Sequence, residues 1–184
     1  MSENIKEISR RLKELREIEG ISAQSFAKQL GISVDLYLNY ESGETDIPVS
    51  FLYDAANRLK VDLTTLLTGQ QPKLHIYSLV KKGEGLDVRR SKQYKYKNLA
   101  YNFFGKKAEP FLVTVEPTDE NAPISLNSHP GQEMNYVLSG TVEIKIGETV
   151  LTLSEGDTVY YNSAYPHGMR AIGEKSATFL ALIF

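Results

Sequence analysis

Asn127-Ser128-His129-Pro130-Gly131-Gln132-Glu133-Met134-Asn135-Tyr136-Val137-Leu138-Ser139-Gly140 is the stretch whose reading decides the fold of this 184-residue chain. Residues two apart share one face of a strand, so Glu133 points with Asn135 and Val137, while Met134, Tyr136 and Leu138 point the other way. One face therefore mixes a carboxylate, an amide and an apolar group. Downstream, Glu155-Gly156-Asp157 makes a turn that returns the chain, and Pro166 fixes the backbone just before His167. Two of the three histidines lie in these two boxes. Histidine and carboxylate at such spacing are seldom kept for packing alone.

The arrangement His129, Glu133, Gly140, then Gly156-Asp157 and Pro166-His167, resembles the two motifs of the cupin superfamily. That resemblance implies a β-barrel of the jelly-roll or double-stranded β-helix type. It also implies that His129, Glu133 and His167 converge as two imidazoles and one carboxylate on one face of a divalent metal. Such a set leaves coordination positions open and suits ferrous iron, with manganese, nickel and zinc as alternatives. Cupins usually carry His-x-His at the start of the first motif, and here the first position is Asn127. Its neutral amide oxygen would be a weak fourth ligand. Asn127, Asn135, Tyr161 and, ahead of the barrel, Tyr101 are the expected ligand-pocket residues, with Met169 a further wall candidate.

The composition fits a soluble globular chain of one large or two small domains, with a formal net charge of −2. That charge gives no global attraction to nucleic acid or membrane. Cysteine is absent, which excludes disulfides and thiolate metal sites. The polar, acidic start Met1-Ser2-Glu3-Asn4 shows no secretory signal, and no apolar run approaches a membrane span. A cytoplasmic protein with no membrane partner is expected.

Residues 1–69 read as a helical module. Ile5, Ile8, Leu12 and Leu15 fall at helical spacing, and Gly20 ends that helix. Ser22 caps a second helix whose stripe is Phe26, Ala27 and Leu30, stopped at Gly31. Ser33 caps a third, from Val34 to about Tyr40, closed at Gly43. Pro48 starts a fourth with Phe51, Leu52, Ala55, Ala56 and Leu59, and Asp62 caps a short fifth that ends at Gly69.

Phe26-Ala27, Leu30-Gly31-Ile32-Ser33 and Tyr40-Glu41-Ser42-Gly43 resemble the Cro/lambda-repressor helix-turn-helix family. The resemblance implies a five-helix bundle whose third helix lies in the DNA major groove. Carried onto this chain, the DNA-facing residues would be Ser22, Ala23, Ser33, Val34, Asp35, Leu38 and Asn39. The family often has glutamine where Ala23 stands and serine where Leu38 stands. Eight basic residues against eleven acidic ones leave this module at −3, with none basic between Lys28 and Arg58. Because phosphate neutralisation supplies most of the affinity of such modules, a monomer should bind DNA weakly. Lys6, Arg10, Arg11 and Lys13 on the first helix remain for backbone contacts, and a homodimer on a palindromic operator would double them.

Residues 70–105 read as a linker, Gln70-Gln71-Pro72, followed by the leading strands of the barrel. His75-Ile76-Tyr77-Ser78-Leu79-Val80 alternates and is predicted as a strand. Val88 to Lys97, with lysines and arginines between tyrosines, is predicted as one exposed strand with a packed aromatic face. Arg89 and Arg90, with Tyr94, Tyr96 and Tyr101, could grip an anionic effector bidentately. Residues 106–184 form the cupin domain. Strands are predicted at Phe111–Glu116, Met134–Leu138, Thr141–Ile146, Thr149–Leu153, Thr158–Tyr161 and Thr178–Phe184, with glycine turns at Gly140, Gly147 and Gly156.

The fold class is thus two-domain, α plus all-β. Together the two resemblances are similar to bacterial helix-turn-helix regulators of the XRE type with a fused cupin sensor for a small effector, which are not enzymes. The same domain order also resembles the hydroxypropylphosphonate epoxidases, mononuclear non-heme iron enzymes with an asparagine before their His…Glu…His triad. That likeness would put Tyr101 and Asn127 against substrate. Those enzymes also use a lysine near the start of the second helix, where this chain has Gly20.

Overall fold

The computed structural model describes residues 3–89, 94–118 and 122–184. Five helices come first: α1 (Glu3–Ile18), α2 (Ala23–Gln29), α3 (Val34–Ser42), α4 (Val49–Arg58) and α5 (Leu63–Thr68). The predicted caps do what their chemistry requires. The Ser22, Ser33 and Asp62 side chains accept from the backbone N–H groups of Ser25, Leu36 and Thr64, satisfying donors that the first helical turn leaves free. Pro48 is the residue before α4 rather than its first helical residue. Leu12, Phe26, Tyr37, Phe51 and Leu66 fill the bundle core, with Phe26 edge-on to Tyr37 at 5.5 Å and Tyr40 at 4.8 Å from Phe51.

Nine strands follow: β1 (Leu86–Arg89), β2 (Tyr94–Asn98), β3 (Glu109–Val115), β4 (Gln132–Ser139), β5 (Thr141–Ile146), β6 (Thr149–Ser154), β7 (Thr158–Asn162), β8 (His167–Ala171) and β9 (Ala177–Ile183). They form one six-stranded sheet in the order β1-β2-β3-β9-β4-β7 and a second of three, β6-β5-β8. Phe111, Val113, Val115, Val137, Ile144 and Phe179 meet between the sheets. β9, the last strand, is paired on both edges, to β3 and to β4, so it is central to the barrel.

Three sequence expectations need correction. His75–Val80 is not a strand: Leu74 makes an isolated bridge to Phe103, and the residues after it run irregularly, with Ile76, Tyr77 and Leu79 exposed. Alternation alone makes no strand without a neighbouring edge to supply hydrogen bonds. The predicted single strand Val88–Lys97 is two: β1 and β2 pair antiparallel, while Arg90 and the Arg89 side chain lie outside what is described. Tyr94 and Tyr96 are half-buried on β2, and Lys95 is exposed, as the aromatic-face reading requires. β8 was not expected, because His-Gly-Met-Arg-Ala carries no β-branched residue. Gly168 within it is obligatory, since a Cβ there would stand 2.3 Å from the Ser125 carbonyl oxygen.

The two domains touch through α4 and α5. Lys106 reaches both Asp62 oxygens at 3.1 Å, and Ser50 Oγ donates to Asn127 Oδ1 at 3.4 Å. A cleft of about 300 Å³, lined in part by Tyr53, Asn57, Lys60 and Phe104, lies beside the Lys106 contact.

Candidate metal centre

Three elements deliver three side chains to one point. His129 sits before β4, anchored by its N–H to the Ser163 carbonyl. Gly131 then turns the chain at φ +97°, where any Cβ would meet the Phe184 carbonyl oxygen at 2.1 Å. That turn sets Glu133 on the inner face of β4, and His167 opens β8. The three ligand atoms lie within 4.8 Å of one another, and all three residues are buried.

The hydrogen bonds fix which nitrogen faces inward. His129 Nδ1 lies 3.2 Å from the Pro130 carbonyl oxygen and His167 Nδ1 lies 2.9 Å from that of Tyr165. A carbonyl can only accept, so both Nδ1 atoms carry protons and both Nε2 atoms are left as ligands. These stand 3.2 Å and 3.8 Å from Glu133 Oε2. Ligands at about 2.1 Å from one ion and at right angles are about 3 Å apart, so the set fits a metal with little movement. Burial alone would push the Glu133 carboxyl up, but without a metal, when the inward Nε2 atoms carry protons instead, the His129 hydrogen bond and the His167 charge hold it below the ordinary carboxylate range.

Tyr161 and Asn135 support the carboxylate. Burial, then the neighbouring Glu133, pushes the Tyr161 hydroxyl far up, so it stays protonated beside that carboxylate. It accepts from Asn135 Nδ2 at 3.3 Å, and its ring lies 5.1 Å from that of His167. Asn135 Oδ1 and Ser163 Oγ are buried without a partner, as befits polar atoms beside a site made for something more. Below them, Asn135, Val137, Ile144, Met169 and Phe179 surround only about 10 Å³, so the barrel floor is filled.

The structure therefore brings together His129, Glu133, His167, Tyr161 and Asn135, with Met169 in the wall. Asn127 joins them by exchanging backbone hydrogen bonds with His167 at 2.9 and 2.8 Å. Its amide oxygen turns to Ser50 of α4. Tyr101 is half-buried in the turn after β2, next to Asn102, which bonds to Lys73 and Leu74 of the linker. Sequence reasoning missed Ser50 and Asp54. Burial pushes the Asp54 carboxyl up to about 6, against the charges of His129 and Arg58. The available signal was two polar residues one turn apart in the otherwise apolar first six positions of α4, apart from the Tyr53 hydroxyl.

On the helical domain, Ser22 and Ser33 are exposed caps, and Ala23 and Val34 pack half-buried against the core. Asp35, Leu38 and Asn39 stand exposed on α3.

Residues 9–72 match the family model for a helix-turn-helix domain, and residues 111–183 match that for a cupin domain. The chain is a helix-turn-helix domain joined to a cupin. No curated protein matches it. Among solved structures, an HTH_3 family transcriptional regulator from Vibrio cholerae is similar at 22% identity and TM-score 0.69, over 98% of this chain and 97% of that one. Hydroxypropylphosphonic acid epoxidase from S. wedmorenis is similar at 23% identity and TM-score 0.53, over the whole of both chains. HppE in its FeII form gives 23% and 0.54, over 98% and 100%. At these identities the likeness is one of fold, and it extends over both domains of the helix-turn-helix–cupin chain. No helix among the described residues is long and apolar enough to cross a membrane.

Proposed function

We propose that this helix-turn-helix–cupin chain is a DNA-binding transcriptional regulator whose barrel holds a divalent metal and, through it, senses a small molecule. The observation that carries the reading is the exposed side of α3. Asp35, Leu36, Leu38 and Asn39 face solvent there, while Tyr37 and Tyr40, with Val34 and Glu41, hold the helix to the core. A third helix so presented can enter a major groove, with Asn39 suited to an adenine edge.

His129, Glu133 and His167 would hold the metal. When bound, it would supply a Lewis-acid anchor for a small molecule's oxygen or nitrogen atoms. Tyr161 and Asn135 orient the carboxylate, and the filled barrel floor confines binding to the outer side.

A homodimer on a palindromic site completes the reading. The outer face of the larger sheet supports it: Tyr136, Leu138, Tyr160 and Phe184 are all exposed there and carry no charge. A face of that kind is compatible with a second copy of itself across a two-fold axis. The test is selection of genomic fragments by the metal-loaded protein at moderate salt. Discrete, roughly palindromic sites support the regulator; no enrichment even at low salt refutes it.

A second reading rests on the metal set itself. Two histidines and one carboxylate with open positions suit a non-heme iron oxidase as well as a sensor. Gly20, where a lysine would be needed, ends α1 in the left-handed region with φ +67° and offers no side chain. Oxygen uptake with ferrous iron across a panel of phosphonates separates the two readings.

A further inference from the structure

Both domains line the cleft of about 300 Å³ beside the Lys106 contact, and none of the three candidate metal ligands does. Tyr53, Asn57 and Lys60 come to it from α4 and the residues just after that helix. Phe104, Lys106 and Glu109 come from the segment between β2 and β3 and from the first residue of β3. Its size suits a small organic molecule.

The cleft's buried charges are already matched. Lys106 gives its ammonium group to both Asp62 oxygens, the Phe103 carbonyl and Glu109. Asp62 also accepts from the Thr64 N–H, and Glu109 from Asn98 Nδ2. Three ammonium protons are used up by these contacts. Lys60 differs: it is exposed, and its side chain has no hydrogen bond or ion pair among the described residues. Its backbone is also out of place. Every other helix in the chain runs out into a left-handed glycine, Gly20, Gly31, Gly43 or Gly69, whereas after α4 the left-handed residue is Lys60, at φ +56°. A side chain in that region costs energy that glycine does not, and such strain points to a use for the side chain. Phe104, also in the lining, is 55% exposed, with its ring 5.1 Å from that of His75.

We infer that this cleft is a second small-molecule site, separate from the metal centre, and that it takes a small carboxylate carried on an aromatic body. The carboxylate meets Lys60, and the ring lies against Phe104 and Tyr53. The two acids of the lining do not oppose it. Asp62 is neutralised by Lys106, and burial pushes the Glu109 carboxyl up to about 7 against the Lys106 charge. Around neutral pH the lining therefore carries no net negative charge. An ammonium ligand would meet the Lys60 cation and find both carboxylates occupied. Because each domain supplies part of the lining, a ligand that fits one placement of the two better than another biases how the helical domain is presented.

The test uses the full chain, with and without Co²⁺, and follows backbone amide NMR shifts during titration with phenylacetate. A Kd on the order of 1 mM suits a molecule of that size. Shifts should centre on Tyr53, Asn57, Lys60 and Phe104, with the same affinity whether or not Co²⁺ is present. Acetate, which lacks the ring, and phenethylamine, which reverses the charge, should bind about tenfold more weakly or worse. Lys60→Gln should weaken phenylacetate about tenfold, and Phe104→Ala severalfold. Lys60→Gly separates binding from folding: glycine adopts the left-handed conformation freely, so the urea midpoint should not fall while the affinity does. A lysine kept there for the fold alone would give a lower midpoint and unchanged affinity. The inference is overturned by an absence of shifts in the cleft, by a preference for phenethylamine, or by unaltered affinity in both Lys60 variants. Shifts that gather at Tyr161 and His167 and need Co²⁺ would put the carboxylate on the metal and overturn it too. None of these failures touches the DNA or metal readings, which rest on α3 and on the triad.

Discussion

Two clusters of buried charge, one in each domain, look alike in composition and differ in how they close. Between α1 and α3, Arg16 Nε and Nη2 donate to the two Glu41 oxygens at 2.7 and 3.1 Å. Arg16 Nη1 donates to the Ile21 carbonyl at 2.6 Å, and the Tyr37 hydroxyl donates to Glu41 at 2.6 Å. Cation, anion and hydroxyl satisfy one another, and the Glu41 hydrogen bond raises the Arg16 guanidinium above its usual range. In the barrel, His129, Glu133 and His167 instead aim all three ligand atoms at one point, and the atoms around them include acceptors with no donor. A cluster that pairs internally serves the fold, while one whose lone pairs converge is built for an ion.

The largest effect should come from breaking the closed cluster. Glu41→Ala leaves Arg16, 7% exposed, as a buried cation without its partner. Such a loss costs roughly 3–5 kcal/mol, and urea unfolding should show it whether or not metal is present. A loss under about 1 kcal/mol would mean that water reaches Arg16 and that the cluster is not closed.

A third cluster, at the domain joint, is intermediate: Lys106 stands between Asp62 of the helical domain and Glu109 of the barrel. Burial pushes the Glu109 carboxyl up to about 7 from an ordinary 4.5, with Asp62 adding to the rise and Lys106 and Asn98 opposing it. A carboxyl whose pKa is higher when folded stabilises the fold fully below its unfolded value and loses that contribution as pH rises through the folded value. Relative to Glu109→Gln, the unaltered protein should thus lose roughly 3 kcal/mol between the two pKa values. Parallel stability curves for the two proteins from pH 4.5 to 7.5 would show that Glu109 ionises without cost.

The legibility of these regions follows from the range of the forces involved. Caps and glycine stops are local, so the five helices could be read from Ser22, Ser33, Asp62 and the glycines after them. The triad could be read because the cupin resemblance supplies a long-range pairing of Glu133 with His167 that spacing alone would not. His75–Val80 misled because a strand needs a partner edge, which no local pattern reports. Ser50 was out of reach for the same reason: its bond to Asn127 depends on how one domain docks on the other. The residues expected to face DNA lie between these cases. Asp35, Leu38 and Asn39 are exposed on α3 while Ala23 and Val34 are half-buried, and any contact with bases depends on a partner outside the chain.

The open cluster offers the sharpest contrast and the smallest change in the metal-free protein. Glu133→Gln keeps the shape and an acceptor oxygen, so in the absence of metal its unfolding free energy should shift by less than about 1 kcal/mol. Divalent metal at about a hundred times its Kd should stabilise the unaltered protein by about 2.7 kcal/mol, because only the folded state brings the three ligands together. Glu133→Gln should lose that gain, whereas Glu41→Ala should keep it on a lower baseline. The stabilisation should also fade on acidification, since protonation of the histidines competes with the ion for Nε2. A Glu133→Gln protein that loses several kcal/mol without metal, and an unaltered protein indifferent to it, would make the triad a structural ion pair of the same kind as Arg16 and Glu41.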